Sequence, residues 1–378
     1  MNYKKLPDIC NITTGKLDAN AAVAGGAYPF FTCAPEPITI DSFAFDCDAI
    51  LLAGNNAQGN FHITRYNGKF NAYQRTYVIT AKDGYNIDFI KYMLELSLAH
   101  FKSQAQGSQT KFLTIQILNS FSISDISLDE QIKTVGPLVV LNKKINNNNN
   151  ACAELEAMAK TLYDYWFVQF DFPDENGKPY RTSGGAMEWC QELGREVPKG
   201  WKVRRLPEVS SVQYGFPLST EKFSSTGNRV VRIRDIIDNS YSALTNEAVG
   251  NEYFTHEDDL LVGMDGNFQM NYWTRNGDIV NQRITRIRKT VIPIMLIKMQ
   301  IQPYITAKID TVARSTVGHL GDADFSERYI LVPEGLDIDI FDAYLSKIVS
   351  LRKENQELSD LRDWLLPMLM NEQAQVEK

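Results

Sequence analysis

The chain has 378 residues, of which 44% are apolar, and a formal net charge of −7. That length suggests two or three domains, each able to bury a sizeable core. No apolar run reaches the roughly 18 residues a membrane span needs, the opening MNYKKLPDIC lacks a leader core, and the five cysteines (Cys10, Cys33, Cys47, Cys152, Cys190) are odd in number with no CxxC pair; together these imply a cytoplasmic chain with reduced thiols, neither disulfide-framed nor zinc-bound.

Residues 1–127 carry ten basic and ten acidic side chains and read as a mainly β unit. Short apolar or alternating runs such as AILLAG and YVIT are bounded by Gly, Asn and Asp. One amphipathic helix is expected near residues 87–100. The step Asn67–Gly68 fits a hairpin turn, as does Asn276–Gly277 later, because both residue types tolerate positive φ.

Residues 128–170 read as a long helix. Leu138, Leu141, Ile145, Asn148, Cys152, Leu155, Ala159, Leu162 and Trp166 alternate three and four apart, which is a heptad seam. The run of five asparagines at 146–150 is poor helix material, but the seam keeps phase across it, so a continuous helix is expected. Residues 171–200, rich in Gly, Pro and charge, read as a connector.

Residues 201–336 repeat the first unit at an offset of about 200. KKLPDICNITTG (4–15) answers RRLPEVSSVQYG (204–215), with Leu6, Pro7 and Gly15 matching Leu206, Pro207 and Gly215. DCDAILLAG, ending at Gly54, answers HEDDLLVG, ending at Gly263. GNFHITRYNGKFNAYQR (59–75) answers GNFQMNYWTRNGDIVNQR (266–283). Gly/Ser/Thr turns follow, at GSQTKF and ARSTVG, then the strand-like FSIS and RYILVP. An order kept this long means duplicated domains. Residues 199–336 carry seventeen basic side chains, eleven of them arginine, against sixteen acidic ones. Arginine's planar fork suits phosphate and guanine edges, although it is also a common surface residue. Residues 337–378 form a second long helix, with Tyr344, Ile348, Leu351, Asn355, Leu358 and Leu365 in its seam and Arg362 in the remaining slot.

The expected fold is therefore α+β: two duplicated, mainly β domains joined and separated by two long helices forming an antiparallel coiled coil. A buried Asn in each seam would fix register. Chemistry is not evident. P-loop, GxGxxG, HExxH and GxSxG motifs are absent, as is the Asn/Asp-Pro-Pro-aromatic motif of amino-methyltransferases. The histidines His62, His100, His256 and His319 are scattered. Asp46/Asp48 and Asp258/Asp259 read as turn residues, not a glycosidase pair. A large duplicated chain without catalytic motifs is expected to bind something twice.

The ordered set of segments resembles the DNA-specificity subunits of type I restriction–modification systems. The set comprises the Leu-Pro start, the Gly-x-Tyr-Pro-Phe run at 26–30, the Gln-Arg step, the helix opening LDEQ at 128–131, AKTLYDYWFVQFDFP at 159–173 and PKGW at 198–201. The resemblance covers essentially the whole chain, although no single motif is specific. It implies that 1–127 and 201–336 are target recognition domains, each reading one half of a split site in double-stranded DNA, with the helices as a spacer. It also implies two methyltransferase (modification) subunits and restriction/translocase subunits as partners. S-adenosylmethionine, ATP and Mg would be bound by those partners, with no cofactor, metal or catalytic residue in this chain. The DNA-reading side chains would then be Asn60, His62, Arg65, Tyr66, Gln74, Arg75 and Lys111 in the first unit. In the second they would be Asn267, Gln269, Asn271, Tyr272, Trp273, Gln282 and Arg283, with Arg229, Arg232 and Arg234, which alternate along a strand-like run, gripping phosphate, and Ser315 and Thr316 as further DNA-binding candidates. Asn and Gln suit adenine, and Arg suits guanine. From sequence alone, Tyr66 and Trp273 serve equally as core aromatics, and Gln74 and Gln282 as partners of buried backbone. The alternatives are a specificity module of another restriction class, or a two-lobed enzyme or carbohydrate-binding protein.

Overall fold

A computed structural model describes residues 3–107, 110–312 and 318–371, with backbone only at 310–312. It divides into two units, Met1–Ile145 with Glu357–Lys378, and Asn146–Gln356.

In the first unit Phe45–Ala53 changes from alternating to wholly apolar along its length, and its last five residues are buried. It lies inside a six-stranded sheet in the order Cys10–Thr14, Thr76–Ala81, Phe45–Ala53, Ile63–Ala72, Tyr28–Phe31, Ile38–Ile40. All pairings are antiparallel except one. Tyr28–Phe31 runs parallel to the end of Ile63–Ala72, with Phe30 opposite Asn71 and Phe31 opposite Ala72. Asn67–Gly68 is not a turn. It continues the strand opposite Asp48 and Cys47, because the ladder with Phe45–Ala53 runs unbroken from Phe70 to Ile63. The expected helix at 87–100 is broken at Ser97 into Ile87–Leu96 and Leu98–Gln104.

The second unit repeats this frame in two four-stranded sheets. Ser210–Tyr214, Ile284–Lys289, Leu260–Gly263 and Met270–Tyr272 form one; Phe223–Ser224, Ala243–Thr245, Asn228–Val231 and Ile279–Val280 form the other. The single parallel contact recurs, with Val230 opposite Ile279 and Val231 opposite Val280. The hydrogen bonds repeat as well. Leu6 N–H donates to the Phe121 carbonyl and Leu206 N–H to that of Arg328; Tyr73 N–H donates to Phe31 and Asn281 N–H to Val231. The ladder sets Ala53 opposite Thr76 and Gly263 opposite Ile284. Gly263 therefore corresponds to Ala53, one residue off the alignment suggested by the two glycines. In the second unit Pro293 immediately precedes the helix Ile294–Val312, and Pro303 lies inside it.

The helix Leu128–Tyr163 is continuous through the asparagine run. Ser127 and Glu130 cap its start reciprocally. Ser127 N–H donates to Glu130 Oε2 at 2.9 Å, and Glu130 N–H donates to Ser127 Oγ at 3.3 Å. Every residue of its predicted seam is buried or half-buried. Asp339–Met370 is the second long helix. Within the second unit the pairs Asn148–Asn355 and Cys152–Ile348 run in opposite senses. The segments in the first unit also pair, with Arg362 donating to Asn142 Oδ1 at 3.1 Å. Of the five asparagines only Asn148 is buried. Its Nδ2 donates to Glu354 Oε2 at 2.8 Å and Asn355 Oδ1 at 2.9 Å, while Asn355 donates to Asn149 at 2.7 Å. Residues 171–200 are folded: Met187–Cys190 and Arg195–Pro198 form a hairpin, and Phe172 stacks between Tyr180 and Trp201 in the second unit's core.

Replacing Asn148 with alanine leaves half-buried groups of Glu354 and Asn355 without this donor. The expected loss is about 1–3 kcal/mol, read as a lower urea midpoint. Asn147→Ala, at an exposed position of the same run, should change stability by less than about 0.5 kcal/mol.

Candidate nucleic-acid interface

In both units the chain leaves the parallel contact through a tight corner and presents a Gln–Arg step. Gln74 N–H donates to the Leu17 carbonyl at 2.9 Å, and Thr76 N–H closes the turn onto Tyr73 at 2.8 Å. In the second unit Ile284 N–H closes onto Asn281 at 3.1 Å. Strand pairing before and after each corner fixes the backbone, so Gln74, Arg75, Gln282 and Arg283 are all exposed. Gln74 Nε2 donates to Asp18 Oδ2 at 3.2 Å. The Arg75 guanidinium lies over the Phe112 ring, 4.9 Å from its centroid. Arg283 Nη1 lies 3.5 Å from both ring nitrogens of His319, and its Nε is 3.6 Å from Asp265 Oδ2.

The second unit's corner opens on a cleft of about 830 Å³. Arg232, Arg234, Asn267, Gln269, Gln282 and Arg283 all line it. Arg232 lies over Phe223, 5.6 Å from the ring centroid, and Arg234 Nε donates to Ser242 Oγ at 3.2 Å. Gln269 Oε1 is buried in the wall with no hydrogen-bond partner among the described residues. The cleft thus collects donors and acceptors of the kinds that read base edges, with three arginines in its lining.

Other expected readers are occupied elsewhere. Arg65 forms a bidentate pair with Asp48 (2.9 and 2.6 Å) and reaches Asp88 at 2.5 Å. The Asp48 carboxylate holds its guanidinium pKa above the ordinary value. Tyr66 packs against Phe31 and Phe70. His62 is half-buried, and burial lowers its pKa. Asn60 is exposed but accepts from Lys102 Nζ at 2.7 Å, and Lys111 sits in the short strand opposite Asn56. In the second unit Asn271, Tyr272 and Trp273 are buried and do not face solvent. Asn271 Nδ2 donates to the carbonyls of Ile236 and Ile237, and its Oδ1 accepts from Arg352 at 2.7 Å. Burial raises the Tyr272 phenol pKa. Trp273 Nε1 donates to Asp278 at 3.0 Å, Arg275 Nε binds the same carboxylate oxygen at 3.0 Å, and Arg229 pairs with the other oxygen. Ser315 and Thr316 lie outside the described residues.

The sequence reading missed Asp278, Asp265, Phe112 and His319. Asp278 carries no motif. Phe112 and His319 did carry a signal, since they share the offset that relates Asn60 to Asn267. The carboxylate pairs are arginine anchors: Asp48 holds Arg65, and buried Asp259 holds Arg288 at 2.7 and 2.8 Å. No cluster of potential metal ligands occurs among the described residues.

Residues 1–157 match the family described as the type I restriction modification DNA specificity domain. The chain is 44% identical over 221 residues to the type I restriction enzyme EcoDI specificity subunit of Escherichia coli, covering 55% of this chain and 48% of that protein. It is 23% identical over 322 residues to the type I restriction enzyme MjaIX specificity subunit of Methanocaldococcus jannaschii, covering 79% of this chain and 72% of that one. The chain thus spans about half the length of the first of these relatives. The crystal structure of the type I restriction-modification S subunit from M. genitalium is similar over 97% of this chain and 95% of its own, with a TM-score of 0.55 at 16% identity, a likeness of fold.

Asp278→Ala strips three donors of one buried acceptor and should cost about 3–5 kcal/mol in urea unfolding. Gln282→Ala, at the rim of the cleft, should leave the unfolding midpoint unchanged.

Proposed function

Because the chain belongs to the type I restriction–modification DNA specificity family through its residues 1–157, we propose that it is the sequence-reading subunit of such a system. Each β-rich unit reads one half of a split, asymmetric site in double-stranded DNA. The paired helices set the interval between the halves. The chain directs two modification subunits, which bind S-adenosylmethionine and methylate adenine, and restriction subunits that use ATP and Mg. It acts in the cytoplasm, where its DNA is. None of the chemistry is assigned to this chain.

The observation that carries this reading is the duplicated corner. One backbone frame occurs twice and exposes a Gln–Arg step each time, while the side chains around the step differ. A common frame with different surroundings is what reading two different half-sites requires. The near balance of charge in both β-rich blocks also fits. Phosphate attraction is sequence-blind and strongly salt-dependent, so a specificity chain gains discrimination from base contacts rather than net charge.

Base-resolution adenine methylation of host DNA, with and without this gene, is the test. Loss of methylation at a single split motif is the expected result. An unchanged methylome, with the modification subunits present, would sink the proposal. Inserting one matched heptad into both long helices adds about 10 Å of helix, and should lengthen the spacer by about three base pairs while leaving both half-sites intact. Altered half-sites would show that the helices do not set the interval.

A further inference from the structure

Arg75 is held differently from four other arginines of the two units, and Arg283, which meets Asp265 through Nε alone at 3.6 Å, partly so. Arg65, Arg229, Arg275 and Arg288 are each anchored on a carboxylate. Arg75 has no hydrogen-bond or ion-pair partner among the described residues and rests on a ring. The ring is placed by the frame. Asn55 is paired across strands with Phe112, and Asp265 is bridged in the same antiparallel sense to His319. One residue on, Leu113 N–H donates to the Gly54 carbonyl at 2.9 Å and Leu320 N–H to Met264 at 2.8 Å. Phe112 and His319 are therefore the same position of the repeat, and each meets the arginine of its own unit.

A ring beneath a guanidinium fixes its plane without consuming any of its five N–H donors. Those donors then point outward in one plane, the arrangement that meets O6 and N7 of guanine with two parallel hydrogen bonds. A carboxylate partner does the reverse, taking up the fork. In the second unit His319 Nδ1 is 2.7 Å from Asp265 Oδ1. That contact holds the imidazole in place. Arg283 Nη1 is equidistant from the two ring nitrogens, so it lies against the ring rather than bonding to one of them. Asp265 stands near the Nε edge only, at 3.6 Å.

Building on the DNA-reading role, we propose that Arg75 and Arg283 each read a guanine in the major groove of their own half-site, and that Phe112 and His319 are the positioning residues that hold the two guanidinium planes. The two units thus share one reading device mounted on different rings.

The test uses the intact system in its host, with this gene replaced by variants and adenine methylation mapped at base resolution. If the wild-type gene restores no split motif, the functional reading itself fails. Given a motif, Arg75→Ala should relax one guanine position in one half-site, and Arg283→Ala one in the other. Phe112→Ala should relax the same position as Arg75→Ala, and Phe112→Tyr should keep it. His319→Ala should relax the same position as Arg283→Ala. His319→Phe, which reproduces the first unit's pairing, should keep it. An unchanged motif in both alanine ring variants, or relaxation at a position other than that of the partnered arginine, overturns the proposal. Should a variant abolish methylation altogether, the wild-type complex is instead titrated with duplexes carrying 7-deazaguanine at each guanine of the motif in turn. One position in each half-site should lose about tenfold or more in affinity. A half-site with no sensitive guanine overturns the proposal.

Discussion

Both units depend on one close approach of backbone to backbone. A Cβ on Gly15 would lie 1.7 Å from the Ala72 carbonyl oxygen, and one on Gly215 would lie 2.0 Å from that of Asn281. No side chain fits there. Each glycine lets the segment after the first sheet strand pass directly beneath the corner, where Leu17 bridges to Tyr73 and Phe216 to Asn281. The corner is thereby fixed between this segment and the parallel strand pair. The Gln–Arg step that follows points outward because its backbone has no freedom to turn elsewhere.

This explains what could be read from the residues alone. Leu6, Pro7 and Gly15 recur as Leu206, Pro207 and Gly215 because they build the frame, and the frame is what the repeat preserves. The long helices were legible because a heptad seam is a local pattern. Asn148 stayed in phase inside a run that propensity disfavours, and its burial with two hydrogen bonds across the helix pair outweighs that local preference. The fates of individual arginines were not legible. Arg65 and Arg75 are ten positions apart in the same repeated segment. Only strand register shows that Arg65 stands opposite Ile50, one pleat from Asp48, while Arg75 lies beyond the strand end. Trp273 was ambiguous for the same reason, since the carboxylate that receives its N–H is brought to it by the turn at 274–278.

The arginine surplus of the second unit has a structural resolution. Arg229, Arg275 and Arg288 are tied to Asp278 and Asp259, both almost completely buried. Breaking such pairs leaves an uncompensated buried charge, so they hold loops in place more than they attract a polyanion. Other cationic groups are left facing solvent, and Arg232, Arg234 and Arg283 line one cleft. A composition that looks unsuited to nucleic acid is thus compatible with a locally suited surface, because three arginines are consumed in building the wall while three others line the cleft.

The separation of frame from reader also bears on how such a surface can change. Asn55, Phe112, Asp265 and His319 sit at frame-equivalent positions, yet they differ in charge and in hydrogen-bonding capacity. Backbone pairs hold these positions, so their side chains are not needed to keep the corner folded. Substitution there alters what the arginine meets without disturbing the glycine contact or the parallel pairing on which the unit depends. The buried anchors behave oppositely: Asp278 and Asn271 each join several segments, and a change at either propagates into the core. Variation is therefore physically cheapest at the ring positions and the residues paired with them, which is where the two units of this chain differ while keeping the same backbone and the same Gln–Arg step.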